Sequence, residues 1–180
     1  MVRTKTRDEI IAVAAELFSR AGFKGTSLQD IAAGVGCSKA TLLYHFDSKE
    51  AILAALIAPA AAEFAELDAR LATLAGEAAR AAAIDGFVDL VLRYSREAGL
   101  IYHGSLDVLH TPAFADLRPM IDNLCAAFAA GSADPADHIA AEVLLAGISS
   151  IAIDRPDAVV LRSALVDVAK RVLLTPPMKD

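Results

Sequence analysis

Apolar residues recur along this chain at intervals of three and four, and no stretch alternates with a period of two. That pattern predicts helices throughout and no sheet. The first predicted helix covers residues 6–21, with Ile10, Ala14, Leu17 and Phe18 on its buried stripe and Gly22 ending it. Residues 1–5 read as a flexible arm. Leu28, Ile31, Ala32 and Val35 then form one apolar face, and Ser27 is placed to cap that helix through its hydroxyl. Gly34 and Gly36 stop it, because glycine adopts positive φ without steric cost. Ser38 can cap the next helix, residues 39–46, whose inner positions are Leu42 and Phe46. Two short helices joined by a glycine turn, the second one capped, describe a helix-turn-helix.

Downstream, Asp47 and Glu50 have the spacing of a capping box opening a helix that extends to about Leu74. Pro59 inside it removes a hydrogen bond and predicts a kink or break, either a mechanical joint or a tolerated irregularity. Gly76 marks a turn. Residues 81–98 read as a helix with Ile84, Phe87, Val88, Val91, Leu92 and Ser95 inward, and residues 114–130 as another, with Pro119 in its first turn or at a kink. A loop ending in Asp134-Pro135 leads to two last helices, residues 135–153 and 156–174. The first of these is apolar over most of its circumference, through Ile139, Val143, Leu144, Ile148 and Ile151, so it needs cover on more than one side. One side is the core of its own subunit, and the expected cover on the other is a partner chain.

The segment from Ser27 to Phe46 resembles the helix-turn-helix of the tetracycline-repressor (TetR) family of bacterial transcription regulators. Ser27, Ile31, Ala32, Gly36, Cys37, Ser38, Thr41, Leu42, His45, Phe46, Lys49 and Glu50 fall at the family's spacing, and residues 14–27 fit its first helix and following turn. The resemblance is specific over about residues 5–57; beyond that it is only an alanine-rich helical character. It implies an N-terminal three-helix DNA-binding domain followed by a helical ligand and dimerisation domain, with the last two helices pairing across a dimer. Cys37 replaces a usual Val. Leu43 replaces a Tyr that contacts phosphate in the family, a role Tyr44 could take over.

Geometry suggests roles within the motif. A recognition helix enters the major groove with its N-terminal residues toward base edges, which places Ser38, Lys39 and Ala40 nearest the bases, with Thr41 a further DNA-binding candidate. Lys39 can donate to guanine O6 and N7. Gln29 could reach an adenine edge or a phosphate. Ser27 (or Thr26), Tyr44, His45 and Lys49 are the phosphate candidates, with helix packing the alternative for His45.

Charge modifies this picture. The formal net charge is −6, which looks wrong for a nucleic-acid binder. The acidic excess is not in the motif: residues 1–50 carry seven Lys and Arg against six Asp and Glu, and residues 51–180 carry ten against seventeen. Arg3, Lys5 and Arg7 cluster at the N-terminus, where they can meet phosphates. An acidic regulator should bind non-specific DNA weakly, which helps it find its site. Two cysteines, Cys37 and Cys125, suggest no disulfide framework. The longest apolar run, residues 51–62, is broken by Pro59 and too short to span a bilayer, and no charged leader precedes it. The expectation is a soluble, cytoplasmic protein.

In the second part, Phe64, Phe87, Tyr94, Tyr102, His103, His110, Met120, Asn123, Cys125 and Phe128 are the larger or polar groups among many alanines and are the candidates for a small-molecule pocket. Tyr102 and His103, in a glycine-flanked stretch, are the favoured pair, unless that stretch is simply an exposed turn. Signals of enzymes are absent. Gly34-Val35-Gly36 lacks the third glycine and preceding strand of a dinucleotide loop, and there is no G-x-S-x-G. His45, His103, His110 and His138 show no metal-ligand spacing with each other or with either cysteine. No cofactor or metal is expected. The sequence thus predicts an all-α protein with a helix-turn-helix DNA-binding domain over residues 1–47 and a helical-bundle ligand-binding and dimerisation domain over residues 48–180. Its expected function is a homodimeric, ligand-responsive repressor on a palindromic double-stranded DNA operator. The alternatives are an activator, an effector-independent regulator, or a helical enzyme or carrier with a structural helix-turn-helix.

Overall fold

A computed structural model describes residues 2–102, 114–155 and 157–174. Every regular element among them is helical: α1 (Val2–Gly25), α2 (Leu28–Val35), α3 (Lys39–His45), α4 (Lys49–Leu71), α5 (Gly76–Arg93), α6 (Ser95–Tyr102), α7 (Leu117–Phe128), α8 (Pro135–Asp154), a short 3₁₀ helix (Ala158–Leu161) and α9 (Arg162–Leu174). Packing divides the chain into two compact units. One comprises Met1–Ala61 with Arg96–Asp116, the other Ala62–Ser95 with Leu117–Asp180. The first unit therefore takes in the opening half of α4 and most of α6 along with the helix-turn-helix.

In the first unit, Ile10, Ala14 and Phe18 of α1 are buried, as are Ile31 and Ala32 of α2, Leu42 of α3, Phe46, and Ile52, Leu53 and Ile57 of α4. α2 packs on α1 and α3 on α2. The two glycines expected to stop α2 act differently. Gly36 ends it in the left-handed region at φ 76°. Gly34 stays helical, and its role is steric: a Cβ there would lie 2.7 Å from Val13 Cγ1. Residues 2–5, expected as an arm, are helical and open α1, which loses helical dihedrals only at Gly22 (φ 75°). The N-terminal cap of α4 comes from Ser48, not Asp47: the Ser48 hydroxyl accepts from the Ala51 amide at 3.1 Å. α4 continues as a helix through Pro59 without a break.

The second unit is built on α5, which packs against α7, α8 and α9. Its core joins Ala83, Ile84, Phe87, Val88 and Val91 to Leu124 and Phe128, to Ala141, Leu144, Ile148 and Ala152, and to Leu165, Val166 and Ala169. The Phe87 ring stands edge-on to Phe128 at 6.0 Å and 87°. A charged clamp fastens the helix ends. Arg80 is buried, and its Nε donates to the Phe128 carbonyl at 2.9 Å while Nη1 donates to the Leu173 carbonyl at 3.0 Å. Pro119 lies in the first turn of α7. Asp134 caps α8 by accepting from the Ala136 amide at 2.9 Å.

One face of α8 is left uncovered. Ala141, Leu144, Ile148 and Ala152 point into the core, whereas Ile139 and Val143 are 60% and 65% exposed. Gly147 continues that outer stripe, and a Cβ on it would meet only open space. Val159 and Val160 of the 3₁₀ helix and Val168 and Val172 of α9 are likewise exposed. By length and composition α8 is the one helix among the described residues apolar enough to cross a membrane. Its inner face is instead part of the second unit's core.

Candidate nucleic-acid interface

The motif is assembled from caps that the sequence specifies. Ser27 opens α2 with a complete capping box: its hydroxyl accepts from the Asp30 amide at 3.1 Å, and the Asp30 carboxylate accepts from the Ser27 amide at 2.9 Å. The Ser27 hydroxyl in turn donates to that carboxylate at 2.6 Å. These bonds from Ser27 hold the Asp30 carboxyl below its ordinary pKa. Ser38 opens α3 in the same manner, its Oγ accepting from the Thr41 amide at 3.0 Å, and the two hydroxyls bond to each other at 2.9 Å. At the other end, the Phe46 amide bonds the Leu42 carbonyl at 3.0 Å and the buried Phe46 ring anchors the helix.

This leaves α3 with a buried inner residue, Leu42, and an outer surface made of Lys39, Ala40, Thr41, Leu43 and Tyr44, all exposed. Gln29 of α2 is exposed as well. The Tyr44 ring stands edge-on to His45 at 5.3 Å, and His45 is half-buried in the last turn of α3, where a cation would suit the helix dipole. Ser38 and Thr41 share one hydroxyl proton between them, so a second remains for an outside acceptor.

Three of the expected phosphate candidates have hydrogen-bond partners within the protein. The Ser27 hydroxyl and amide both donate to Asp30. Thr26, its alternative, is 3% exposed and donates to the Gly22 carbonyl at 2.9 Å. Lys49 is the third. Its ammonium donates to the carbonyls of Phe23 at 2.6 Å and Thr26 at 2.8 Å, and sits 4.3 Å from the centroid of the Phe23 ring. The Arg7 guanidinium lies over the Phe46 ring at 4.7 Å. Sequence reasoning missed Phe23 and Asp30 as parts of the site. The Ser-x-x-Asp spacing at Ser27 was the readable signal for the second; nothing in the pattern pairs Lys49 with Phe23.

The residues expected to line an effector pocket are found as follows. Phe128 is fully buried and Phe87 nearly so, both in the second unit's core. Phe64 is packed against the same core, Tyr94 ends α5, and Met120 is half-buried on α7. Tyr102 is 47% exposed and belongs to the first unit, and His103 and His110 lie outside the described residues. Asn123 borders a cavity among the described residues. It lies in the second unit, a cleft of about 410 Å³ between the end of α4, the start of α5 and α7, lined by Asp68, Leu71, Ala75, Ala79, Asn123 and Ala127 among others. The Asn123 amide donates to the Asp68 carboxylate at 3.0 Å. Burial pushes the Cys125 thiol pKa up, which keeps it a neutral thiol.

Residues 10–56, which run from α1 into α4, match the family model described as bacterial regulatory proteins, tetR family. Over this segment the chain is similar to the TetR family. It is 54% identical over 46 residues to the biofilm operon icaADBC HTH-type negative transcriptional regulator IcaR of Staphylococcus aureus strain Newman, a match covering 26% of this chain and 25% of that protein. The matched segment thus spans about a quarter of the length of such curated relatives. Likeness to solved TetR-family structures extends over nearly the whole chain. A crystal structure of AibR in complex with isovaleryl coenzyme A and operator DNA is 26% identical, with 95% of this chain and 99% of that chain covered at a TM-score of 0.68. A TetR-family transcriptional regulator from Bordetella parapertussis 12822 is 22% identical with a TM-score of 0.71, covering 96% of this chain and 95% of that one, a likeness of fold. The all-helical architecture, with an N-terminal helix-turn-helix followed by a helical domain, is that of these TetR-family structures.

Proposed function

We propose that the chain is a DNA-binding transcriptional repressor that acts as a homodimer and is released from its operator by a small molecule. The observation that carries this reading is α3: a short, doubly fixed helix whose inner residue Leu42 is buried while Lys39, Ala40 and Tyr44 face outward. A helix so held can enter a major groove with Lys39 and Ala40 leading. Gln29, Tyr44, His45 and the spare hydroxyl proton of Ser38 or Thr41 supply the neighbouring polar contacts. Repression is the role carried by IcaR, whose DNA-binding segment this chain matches best in identity among the relatives described above.

The outer stripe of α8 and α9 supports the dimer. Ile139 and Val143 on α8, continued by Gly147, and Val168 and Val172 on α9 are exposed apolar positions that a partner could cover. Covered by the same face of a second copy, they give a two-fold arrangement suited to a palindromic site, with half-sites about 34–36 Å apart. For the effector, the 410 Å³ cleft beside Asn123 and Asp68 has the size of a small-molecule site. The AibR complex, with its acyl-coenzyme A and its operator, supports a ligand-controlled reading. An effector would shift the population away from DNA by no more than its differential affinity for the two states. Such a protein works in the cytoplasm.

The test is fluorescence anisotropy of the purified protein on DNA flanking its own gene, across a salt series, with a footprint on any fragment bound. A tight, salt-sensitive complex with a palindromic footprint is expected. Absence of affinity for any duplex would overturn the reading.

A further inference from the structure

We propose that Lys49 is a positioning residue for the DNA-binding motif, one that acts by fixing the point at which α2 departs from α1. This rests on the DNA-binding reading above and concerns how the same site is held.

The C-terminal turn of α1 is the weak point of the motif. Helical dihedrals are lost at Gly22, so the carbonyls around it lose helical partners and need other donors. The Thr26 side chain supplies one, to the Gly22 carbonyl at 2.9 Å. Lys49, the first residue of α4, supplies two more from 23 and 26 residues away, to Thr26 at 2.8 Å and Phe23 at 2.6 Å. An ammonium has three N–H groups. Two are taken by these carbonyls, and the ion also lies over the Phe23 ring at 4.3 Å, a cation–π contact. That ring is itself held against Phe18, with centroids 5.2 Å apart. Lys49 is half-buried within this arrangement. One residue beyond Thr26 stands Ser27, the cap of α2. The ammonium therefore ties the start of α4 to the start of α2, and α3 lies between the two along the chain.

The two possible roles of this lysine separate in salt dependence. A phosphate contact contributes about 0.9 to the slope of log K against log salt, and its loss weakens binding to every sequence alike. A positioning residue contributes nothing to the slope. Its loss misplaces Lys39 and Ala40 and lowers affinity for the correct sequence in particular.

The experiment compares wild type, Lys49→Met and Lys49→Arg on a labelled duplex carrying the footprinted sequence and on a scrambled duplex, across a salt series. Lys49→Met is expected to lose roughly tenfold on the specific duplex, comparable to one mismatched base pair, to change little on the scrambled one, and to keep its slope. Lys49→Arg, which can reach both carbonyls, is expected to recover most of the loss. A uniform loss with a slope lower by about one would overturn the proposal. So would a Lys49→Met protein that melts earlier yet binds the specific duplex as wild type does. Should Lys49→Met fail to fold, Phe23→Leu carries the test, since it leaves the Lys49 charge in place; unchanged affinity there would count against positioning. Wild type binding neither duplex would instead sink the DNA-binding reading, and this proposal with it.

Discussion

Arg80 donates to the carbonyl of Leu173 at 3.0 Å, joining residues 93 positions apart. The same guanidinium holds the Phe128 carbonyl and the Glu77 carboxylate, so one buried cation fastens the ends of α7 and α9 to α5. Removing it would leave two carbonyls without their donor in a closed environment, and hydrogen bonds to charged groups are worth about 1.5–3 kcal/mol each. Arg80→Met is expected to lower the stability of the second unit by about 3 kcal/mol, read by denaturant unfolding. Lys, with no planar fork, should recover only part of this.

Gly34 of α2 faces Val13 of α1 with no room for a side chain. A Cβ at Gly34 would sit 2.7 Å from Val13 Cγ1, and valine has little rotamer freedom on a helix. Overpacking of this kind costs about 1–3 kcal/mol, more than the helix propensity gained from alanine. Gly34→Ala is expected to destabilise the first unit and weaken operator binding. Adding Val13→Ala should restore both, and a double-mutant cycle on unfolding free energy checks the coupling.

The motif was legible because its signals are local. Ser27, Ser38 and Gly36 take up the cap and turn positions that their residue types favour, and Leu42 and Phe46 are buried where helical spacing puts them. Contacts that depend on distant partners were not legible. Lys49 at a helix start looked like a surface cation, because nothing in its neighbourhood along the chain shows that the Phe23 and Thr26 carbonyls lie within its reach. The edge-on pairing of Phe87 with Phe128 was hidden for the same reason, since the packing of α5 on α7 is a tertiary fact. Gly34 could be recognised as special but not as a close-packing point. The break at Tyr94, which splits the single helix expected over residues 81–98, has no glycine or proline to announce it.

Asp89 and Arg162 give the second unit a pH-dependent tie. The Arg162 guanidinium donates to both carboxylate oxygens, and that bond holds the Asp89 carboxyl below its ordinary pKa against the opposing effect of burial. A carboxyl depressed on folding contributes stability above its unfolded pKa and loses it as pH falls through the folded value. The tie should therefore be intact at neutral pH and disappear below the usual carboxylate range. Both side chains are more than 40% exposed, so the contribution is at most about 1 kcal/mol. Asp89→Asn is expected to flatten the acid limb of the stability profile while leaving its shape near neutrality alone, as thermal unfolding across pH would record.

The uncovered stripe on α8 and α9 predicts the assembly state. Val143 and Val168 are 65% and 44% exposed, and a carboxylate at either would be desolvated against its own copy across a two-fold interface. Val143→Asp is expected to raise the dimer dissociation constant at least tenfold, about 1.4 kcal/mol, seen by sedimentation velocity. The isolated subunit should keep its helicity, because neither side chain is part of its core. Wild type that stays monomeric at micromolar concentration would remove the dimer.

Lys39 is the first residue of α3 and is exposed, with Ser38 fixing the helix start behind it. A lysine in this place reads guanine through O6 and N7 when it reaches a base, and only adds charge when it reaches a phosphate. The exposed N-terminal position favours the base. Lys39→Ala is then expected to cost about 1–3 kcal/mol on the operator and to relax preference at a single base pair of each half-site. Binding to a set of operators substituted one position at a time measures this. Discrimination lost at one symmetric pair of positions identifies the base that Lys39 reads, whereas an equal loss across the whole set would move Lys39 to the backbone and leave Gln29 as the remaining candidate for base readout.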